Sequence, residues 1–324
     1  MSYRVFITRK IPEKGINTLK DRGYEVDVNQ YDRPLAHDEL VNILKDKEYD
    51  AILTLLNDKI DKEVLEASPK TKIFANFTIG FDNFDIEEAK KRGVFLTNAP
   101  GGGADRVAEH AFALLLSLTC RIVEGDSFVR QGKYVGWDPM LFLGTKLKGK
   151  VMGLIGAGRI GTEVARIASK GFGMRIAYQD IVRNEKIECL HNASYYSNID
   201  DVLVQADVVS LHVPLMKETV HLIDWHKLNM MKKNSILINT ARGPIIKEED
   251  LIRALKGNVI GGAGLDVFEN EPQMSKELYE LRNVVLTPHI ASSTLEDREC
   301  MADIAVNNII HTLEDGKPLN NVYN

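Results

Sequence analysis

Nine residues near the middle of this 324-residue chain constrain its fold more than any others: Gly153-Leu154-Ile155-Gly156-Ala157-Gly158-Arg159-Ile160-Gly161. Lys150 to Ile155 has the apolar run of a buried strand, and from Ile160 apolar residues recur at helical spacing. The turn between them is Gly156-x-Gly158-x-x-Gly161. In a strand–turn–helix unit the first glycine permits a tight turn and the second lets the backbone approach a pyrophosphate. The third lets helix and strand pack closely. The N–H groups that open the helix, at Arg159 and Ile160, then face the phosphates. A further strand, Met174 to Gln179, ends in Asp180, about 20 residues past Gly161, where a carboxylate meets the hydroxyls of an adenosine ribose.

Such loops often open a chain, yet here about 150 residues precede it. Those residues alternate strand-like runs (Arg4–Thr8, Glu25–Val28, Ala51–Leu55, Ile73–Phe77, Val94–Thr97) with helical periodicity, for instance Asp38–Lys45 and Ile86–Arg92. The alternation predicts a small parallel α/β sheet. A helical stretch follows from Ala104 to about Gln131. Its segment Ala111–Leu116 is apolar on nearly every face, so it is expected to be buried between two domains or two subunits. From Lys150 six strands are expected, near 150–155, 174–179, 207–211, 235–239, 259–265 and 284–287, as in a doubly wound sheet. A final helix, about Thr294 to Leu313, cannot extend that sheet and should return to the first. The domain expectation is therefore 1–100 plus 288–324 for a substrate domain. An inserted dinucleotide domain, 101–287, would carry a helical segment at about 104–149.

Composition excludes several classes. A net charge of −5 provides no basic surface for nucleic acid. The most apolar helix candidate, Ala104–Leu118, is interrupted by Asp105, Arg106, Glu109 and His110, so no membrane span is expected. A first strand from Tyr3 leaves no room for a leader. Cys120, Cys189 and Cys300 are odd in number and far apart, fitting neither a disulfide framework nor a metal site. They read as reduced thiols in a cytoplasmic protein.

Three polar residues follow three successive strands of the second half: Arg242 after Ser235–Thr240, Glu271 after Val259–Leu265, and His289 after Val284–Leu286. In a parallel sheet the strand C-termini share one edge, where ligands bind. Reducing a ketone with a nicotinamide needs a proton on the developing alkoxide, which a histidine can supply. Glu271 would orient the ring, and the Arg242 fork could hold a carboxylate and polarise the carbonyl. No metal ligand set is present, so the histidine must do what zinc does elsewhere.

The chain resembles the D-isomer-specific 2-hydroxyacid dehydrogenases over essentially its whole length. The motifs that carry the likeness are the glycine loop, Leu237-Ile238-Asn239-Thr240-Ala241-Arg242-Gly243, Gly264 to Pro272, and Thr287-Pro288-His289-Ile290-Ala291-Ser292. The resemblance implies an α/β fold of two domains, each a parallel sheet flanked by helices. A Rossmann-type NAD domain would be inserted into a flavodoxin-like substrate domain, in a homodimer built around the helical stretch after Pro100. It also implies that His289 is the acid/base, Glu271 its partner and Arg242 the substrate anchor. Asp266 would face the nicotinamide. Thr240, Ala241, Arg242 and His289 would line the cofactor, as would His212, Val213 and Pro214 through their backbone. Ile79, Gly80 and Ser292 would join Arg242 and His289 in binding the substrate. Asp180 points to NAD(H), with NADP(H) possible, and Arg183 reads as a solvated surface residue.

Within the family the pattern is similar to glyoxylate/hydroxypyruvate reductases, at Ile73-Phe74-Ala75-Asn76 and Trp137-Asp138-Pro139. It departs from them at Leu141, where those enzymes commonly carry a second tryptophan. Two other functions are open: a phosphoglycerate dehydrogenase, disfavoured because Asn76–Gly80 has no cation, and a dinucleotide-sensing corepressor-like protein, disfavoured by the lack of long disordered flanks.

Overall fold

Aliphatic runs buried at every position, such as Ala51-Ile52-Leu53-Thr54 and Ile236-Leu237-Ile238-Asn239, need cover on both faces and suit a parallel sheet. Two such sheets are present in the computed structural model, which describes residues 2–31, 33–101 and 103–323. The contacts divide the chain into one unit up to Gly103 plus Ser293 onward, and a second from Ala104 to Ser292. The expected outer termini, residues 1 and 324, lie outside the described residues.

The first unit holds β1 (Arg4–Ile7), β2 (Glu25–Val28), β3 (Ala51–Thr54), β4 (Ile73–Asn76) and β5 (Phe95–Thr97), all parallel in the order β2-β1-β3-β4-β5. This is the flavodoxin-like order. The two-residue period of a strand sends alternate side chains to opposite faces. Val5, Ile7, Leu53 and Ala75 pack with Met301, Ala305, Val306 and Ile309 of the last helix, Leu295–Asp315. Phe6, Ile52 and Phe74 pack with Leu40, Leu44, Val64 and Leu65 on the other side. Each fully buried aliphatic contributes about 1.5–3 kcal/mol. The last helix starts where the Thr294 side chain accepts the Asp297 N–H, and it stops at Gly316, whose φ of +81° favours glycine.

The second unit holds β6 (Val151–Ile155), β7 (Arg175–Gln179), β8 (Ser194–Tyr195), β9 (Val208–Leu211), β10 (Ile236–Asn239), β11 (Gly262–Leu265) and β12 (Val284–Leu286). Their order is β12-β11-β10-β9-β6-β7-β8, with every pair parallel. The Rossmann order is thus extended by one edge strand, and the strand order reverses between β6 and β9.

Two expectations change. The sheet has a seventh strand, β8, whose two residues lie at a partly exposed edge and carry neither an aliphatic run nor alternation. The long helix is two helices, Ala104–Thr119 and Ile122–Arg130, because Arg121 turns left-handed at φ 56°. Ala111, Phe112, Leu114 and Leu115 are buried in the first, whereas the second buries no residue. No helix among the described residues is long and apolar enough to cross a membrane.

Candidate active site

The glycine loop joins β6 to the helix Arg159–Arg166. Gly156 has φ +93°, and a Cβ there would lie 2.7 Å from the His212 carbonyl carbon and 3.0 Å from Val213 N. At Gly161 a Cβ would lie 2.3 Å from the Gly156 carbonyl oxygen. Both positions exclude any side chain. A Cβ on Gly158 would meet nothing within 4 Å, so this residue leaves open space directly before a helix whose start has no side-chain cap. That combination fits a phosphate on the first helical N–H groups, where the partial positive charge also favours an anion. Asp180 is fastened beside the loop: its carboxylate accepts the Ala157 N–H at 2.6 Å and the Val182 N–H at 3.3 Å. The His212 ring lies 2.9 Å from the Ser210 hydroxyl, and burial pushes its pKa down to about 3, so the ring is neutral. The Thr240 hydroxyl, at the end of β10, is buried with no hydrogen-bond partner among the described residues. Such an orphan suits a site completed by a ligand.

The next three strand ends are drawn together by short loops. After β10 the Asn239 side chain receives the Ala241 N–H at 3.0 Å and donates to the Arg242 carbonyl at 2.9 Å, which closes the turn carrying Thr240, Ala241 and Arg242. One Arg242 guanidinium nitrogen donates to the Ala241 carbonyl at 2.8 Å. Gly243 then lies against the loop after β11; a Cβ there would be 1.8 Å from the Phe268 carbonyl oxygen. In that second loop two glutamates divide their tasks. Glu269 pairs with His221 Nε2 at 2.6 Å and accepts the Glu248 N–H at 2.8 Å, so His221 is structural. Glu271 accepts the Phe268 N–H at 2.9 Å on one oxygen and holds His289 Nδ1 at 2.8 Å on the other.

His289 adopts φ +55°, an uncommon conformation for a side-chain-bearing residue. Asp266 enforces it. The Asp266 carbonyl accepts the His289 N–H at 2.9 Å. Its fully buried carboxylate accepts from the Thr287 hydroxyl (2.6 Å) and the N–H groups of Ile290 (2.9 Å) and Ala291 (2.8 Å). His110 Nε2, on the helix Ala104–Thr119, lies 3.0 Å from the same hydroxyl. Burial alone would raise the Asp266 pKa, but the bonds from His110, Thr287 and the two N–H groups outweigh it and hold the carboxylate below its ordinary value. Neither His110 nor Thr287 stands out as a site residue in the sequence, although Thr287 lies in one of its motifs. The signal was a polar residue on the buried face of an apolar helix.

Taken by itself, the first unit places Ile79 and Gly80 in a loop after β4. Asn98 Nδ2 donates to the Ile79 carbonyl (2.6 Å), while Asn76 Nδ2 (3.0 Å) and the Thr78 hydroxyl (2.6 Å) both donate to the Gly80 carbonyl. With the carbonyls so occupied, the Ile79 and Gly80 N–H groups meet no acceptor among the described residues.

A doubly wound parallel sheet and a phosphate-ready glycine loop suit a nicotinamide dinucleotide, with a histidine–carboxylate pair on the same edge, and the relatives below make the chain an oxidoreductase acting on a CH–OH group. Comparison narrows the class. The D-isomer specific 2-hydroxyacid dehydrogenase NAD binding domain matches residues 112–291. The glyoxylate reductase of Thermococcus litoralis is 49% identical over 96% of this chain and 93% of its own length. A crystal structure of a protein from Thermus thermophilus superposes with a TM-score of 0.90 at 38% identity, covering 98% of this chain and 99% of that one. An NADPH-dependent glyoxylate/hydroxypyruvate reductase from Sinorhizobium meliloti, in complex with NADP and malonate, does so at 0.86 and 29% identity, covering 100% and 97%. The chain belongs to the D-isomer-specific 2-hydroxyacid dehydrogenase family.

Proposed function

We propose that the protein is an NAD(H)-dependent reductase of small 2-oxo acids, glyoxylate and hydroxypyruvate foremost, with His289 as general acid/base. The observation that carries this reading is the 2.8 Å contact between His289 Nδ1 and Glu271 on the edge of the glycine-loop sheet. A carboxylate can only accept, so Nδ1 carries a proton and Nε2 is the atom left to serve a substrate oxygen. A nicotinamide held by this sheet would supply the hydride. His289 then delivers the proton to the oxygen on which negative charge develops, and Glu271 stabilises the charged ring and keeps it oriented. Arg242 holds the substrate carboxylate and polarises the carbonyl; Ile79, Gly80 and Ser292 are the further substrate-binding residues of this reading. Gly156, Gly158, Arg159, Ile160 and Gly161 take the pyrophosphate and Asp180 the adenosine ribose. His212, Val213, Pro214, Thr240, Ala241 and Asp266 line the remainder.

Asp180 favours NAD(H), because its charge repels a ribose phosphate; NADP(H) use at lower efficiency is compatible with the Sinorhizobium relative's cofactor. The second unit is the cofactor domain, inserted between the two pieces of the substrate domain. Exposed Ile122, Val123, Val129, Val135, Trp137, Met140 and Leu143 support a homodimer through the segment 104–149. Three exposed, unpaired cysteines suit the cytoplasm.

The test is a panel of glyoxylate, hydroxypyruvate, pyruvate and phosphohydroxypyruvate, each with NADH and NADPH. The highest kcat/KM is expected for glyoxylate or hydroxypyruvate with NADH. Phosphohydroxypyruvate in first place, or no turnover with any of the four, overturns the assignment. A preference of about tenfold for NADPH, worth about 1.4 kcal/mol, overturns the role of Asp180.

A further inference from the structure

We propose that Glu188 is a cofactor-specificity residue: it clamps Arg183 away from the ribose 2′ position, and its removal opens the site to a 2′-phosphate. The proposal rests on the reading of Asp180 as the ribose-facing residue and deepens it. Arg183 stands three residues past Asp180 on the same turn after β7, close enough along the chain to serve the same ribose. It is not the free surface arginine that its sequence position suggests. Its Nε donates to Glu188 Oε1 at 2.7 Å and an Nη to Oε2 at 2.6 Å, a two-point fork. An exposed ion pair of this kind is ordinarily weak, but here the acceptor is anchored. The hydroxyl of Tyr178, whose side chain is buried in β7, donates to Glu188 Oε1 at 2.5 Å and itself accepts the Asn184 N–H at 2.9 Å.

Asn184 in turn donates to the Ala157 carbonyl of the glycine loop at 2.6 Å and to the Thr162 hydroxyl at 3.2 Å. The turn bearing Arg183 is therefore tied to the phosphate loop, while the guanidinium lies 5.8 Å over the Tyr195 ring. The bonds from Arg183 and Tyr178 hold the Glu188 pKa down at about 2, so the clamp stays charged at any physiological pH. Glu188 thus occupies the donor fork that a phosphate would use. Without it, Arg183, with a side chain 61% exposed, is free to turn toward a phosphate, the anion its planar fork fits best.

The experiment measures, by titration calorimetry on the full chain, the affinities of adenosine 2′,5′-bisphosphate and adenosine 5′-monophosphate. It compares wild type, Glu188→Gln, Glu188→Ala, Arg183→Ala and the double variant Glu188→Gln/Arg183→Ala, with kcat/KM for NADPH and NADH alongside. Either Glu188 substitution should raise the bisphosphate-to-monophosphate affinity ratio about five- to tenfold over wild type, the size of one recovered charge-assisted contact. Arg183→Ala alone should move the ratio less than about twofold, and in the double variant the gain should vanish. No gain in both Glu188 variants, or a gain that survives loss of Arg183, overturns the clamp. A wild type that already prefers the bisphosphate overturns the Asp180 reading separately, because the clamp is scored only by the Arg183-dependent change. If neither nucleotide binds, both readings fall.

Discussion

In the first unit the ends of β1, β3 and β4 carry Thr8, Thr54 and Asn76, whereas β10, β11 and β12 in the second are followed by Arg242, Glu271 and His289. Both sheets are parallel and both edges polar, but the polar groups are committed differently. The Thr8 hydroxyl donates to buried Asp58 at 2.5 Å, Thr54 bonds to Asn76 at 3.2 Å, and Asn76 and Asn98 secure the loop of Ile79 and Gly80. Burial raises the Asp58 pKa. These side chains spend their hydrogen-bonding capacity on backbone and on one another. In the second unit the holding is done by Asn239, Asp266 and Gly243, which leaves His289 Nε2 outside the support. In the first unit the polar groups hold one another, whereas in the second one set of residues holds the loop and another is held by it.

That contrast can be broken by experiment. The largest effect is expected for Gly243→Ala. Its Cβ would overlap the Phe268 carbonyl oxygen, so the two loops must part at a cost of about 3 kcal/mol or more, seen as a lowered denaturant midpoint and lost turnover. Near-normal stability and activity would show that the loops need not touch. Asp266→Asn comes next. The carboxylate's folded pKa lies below its unfolded value, so its stabilisation is complete above that unfolded value, about 3.9, and is lost as pH falls through the folded one. Thermal unfolding from pH 7 to pH 3 should show a weaker variant at neutral pH whose stability declines less steeply in acid than wild type. Parallel curves would remove Asp266 from the account. The smallest effect on turnover belongs to the first unit: Thr8→Ala forfeits one hydrogen bond to a buried carboxylate, about 1.5–3 kcal/mol of stability, and should leave kcat within about twofold. A tenfold loss of kcat at unaltered stability would erase the distinction between the two edges.

The parts of this structure legible in the sequence are those with strictly local causes. Gly161 is required by its approach to the Gly156 carbonyl within one strand–turn–helix unit, and Gly156 by its own φ of +93° as well as by His212 beyond that unit, so their spacing could be read directly. Arg242, Glu271 and His289 were legible as strand-end residues because each lies three to six residues past a strand, and parallel strands must end on one edge. What escaped has non-local causes. The break at Arg121 follows a continuous apolar pattern, and β8 pairs through two residues only. His110 meets Thr287 from a helix far away in the chain, which no spacing predicts. The Arg183–Glu188 pair escaped for a third reason: the spacing of five residues matches no helical neighbour rule, because Arg183 precedes the helix that carries Glu188.

The proposed role of His289, oriented by Glu271, is to move the proton in reduction of a 2-oxo acid. It is tested most directly by following NADH consumption with saturating glyoxylate in wild type, Glu271→Gln and His289→Ala, with nucleotide affinity measured in parallel. The expected result is a kcat lowered about tenfold or more in Glu271→Gln and by about 10²–10⁴ in His289→Ala, while NADH binds both variants within about threefold of wild type. Turnover by His289→Ala close to the wild-type rate would contradict it.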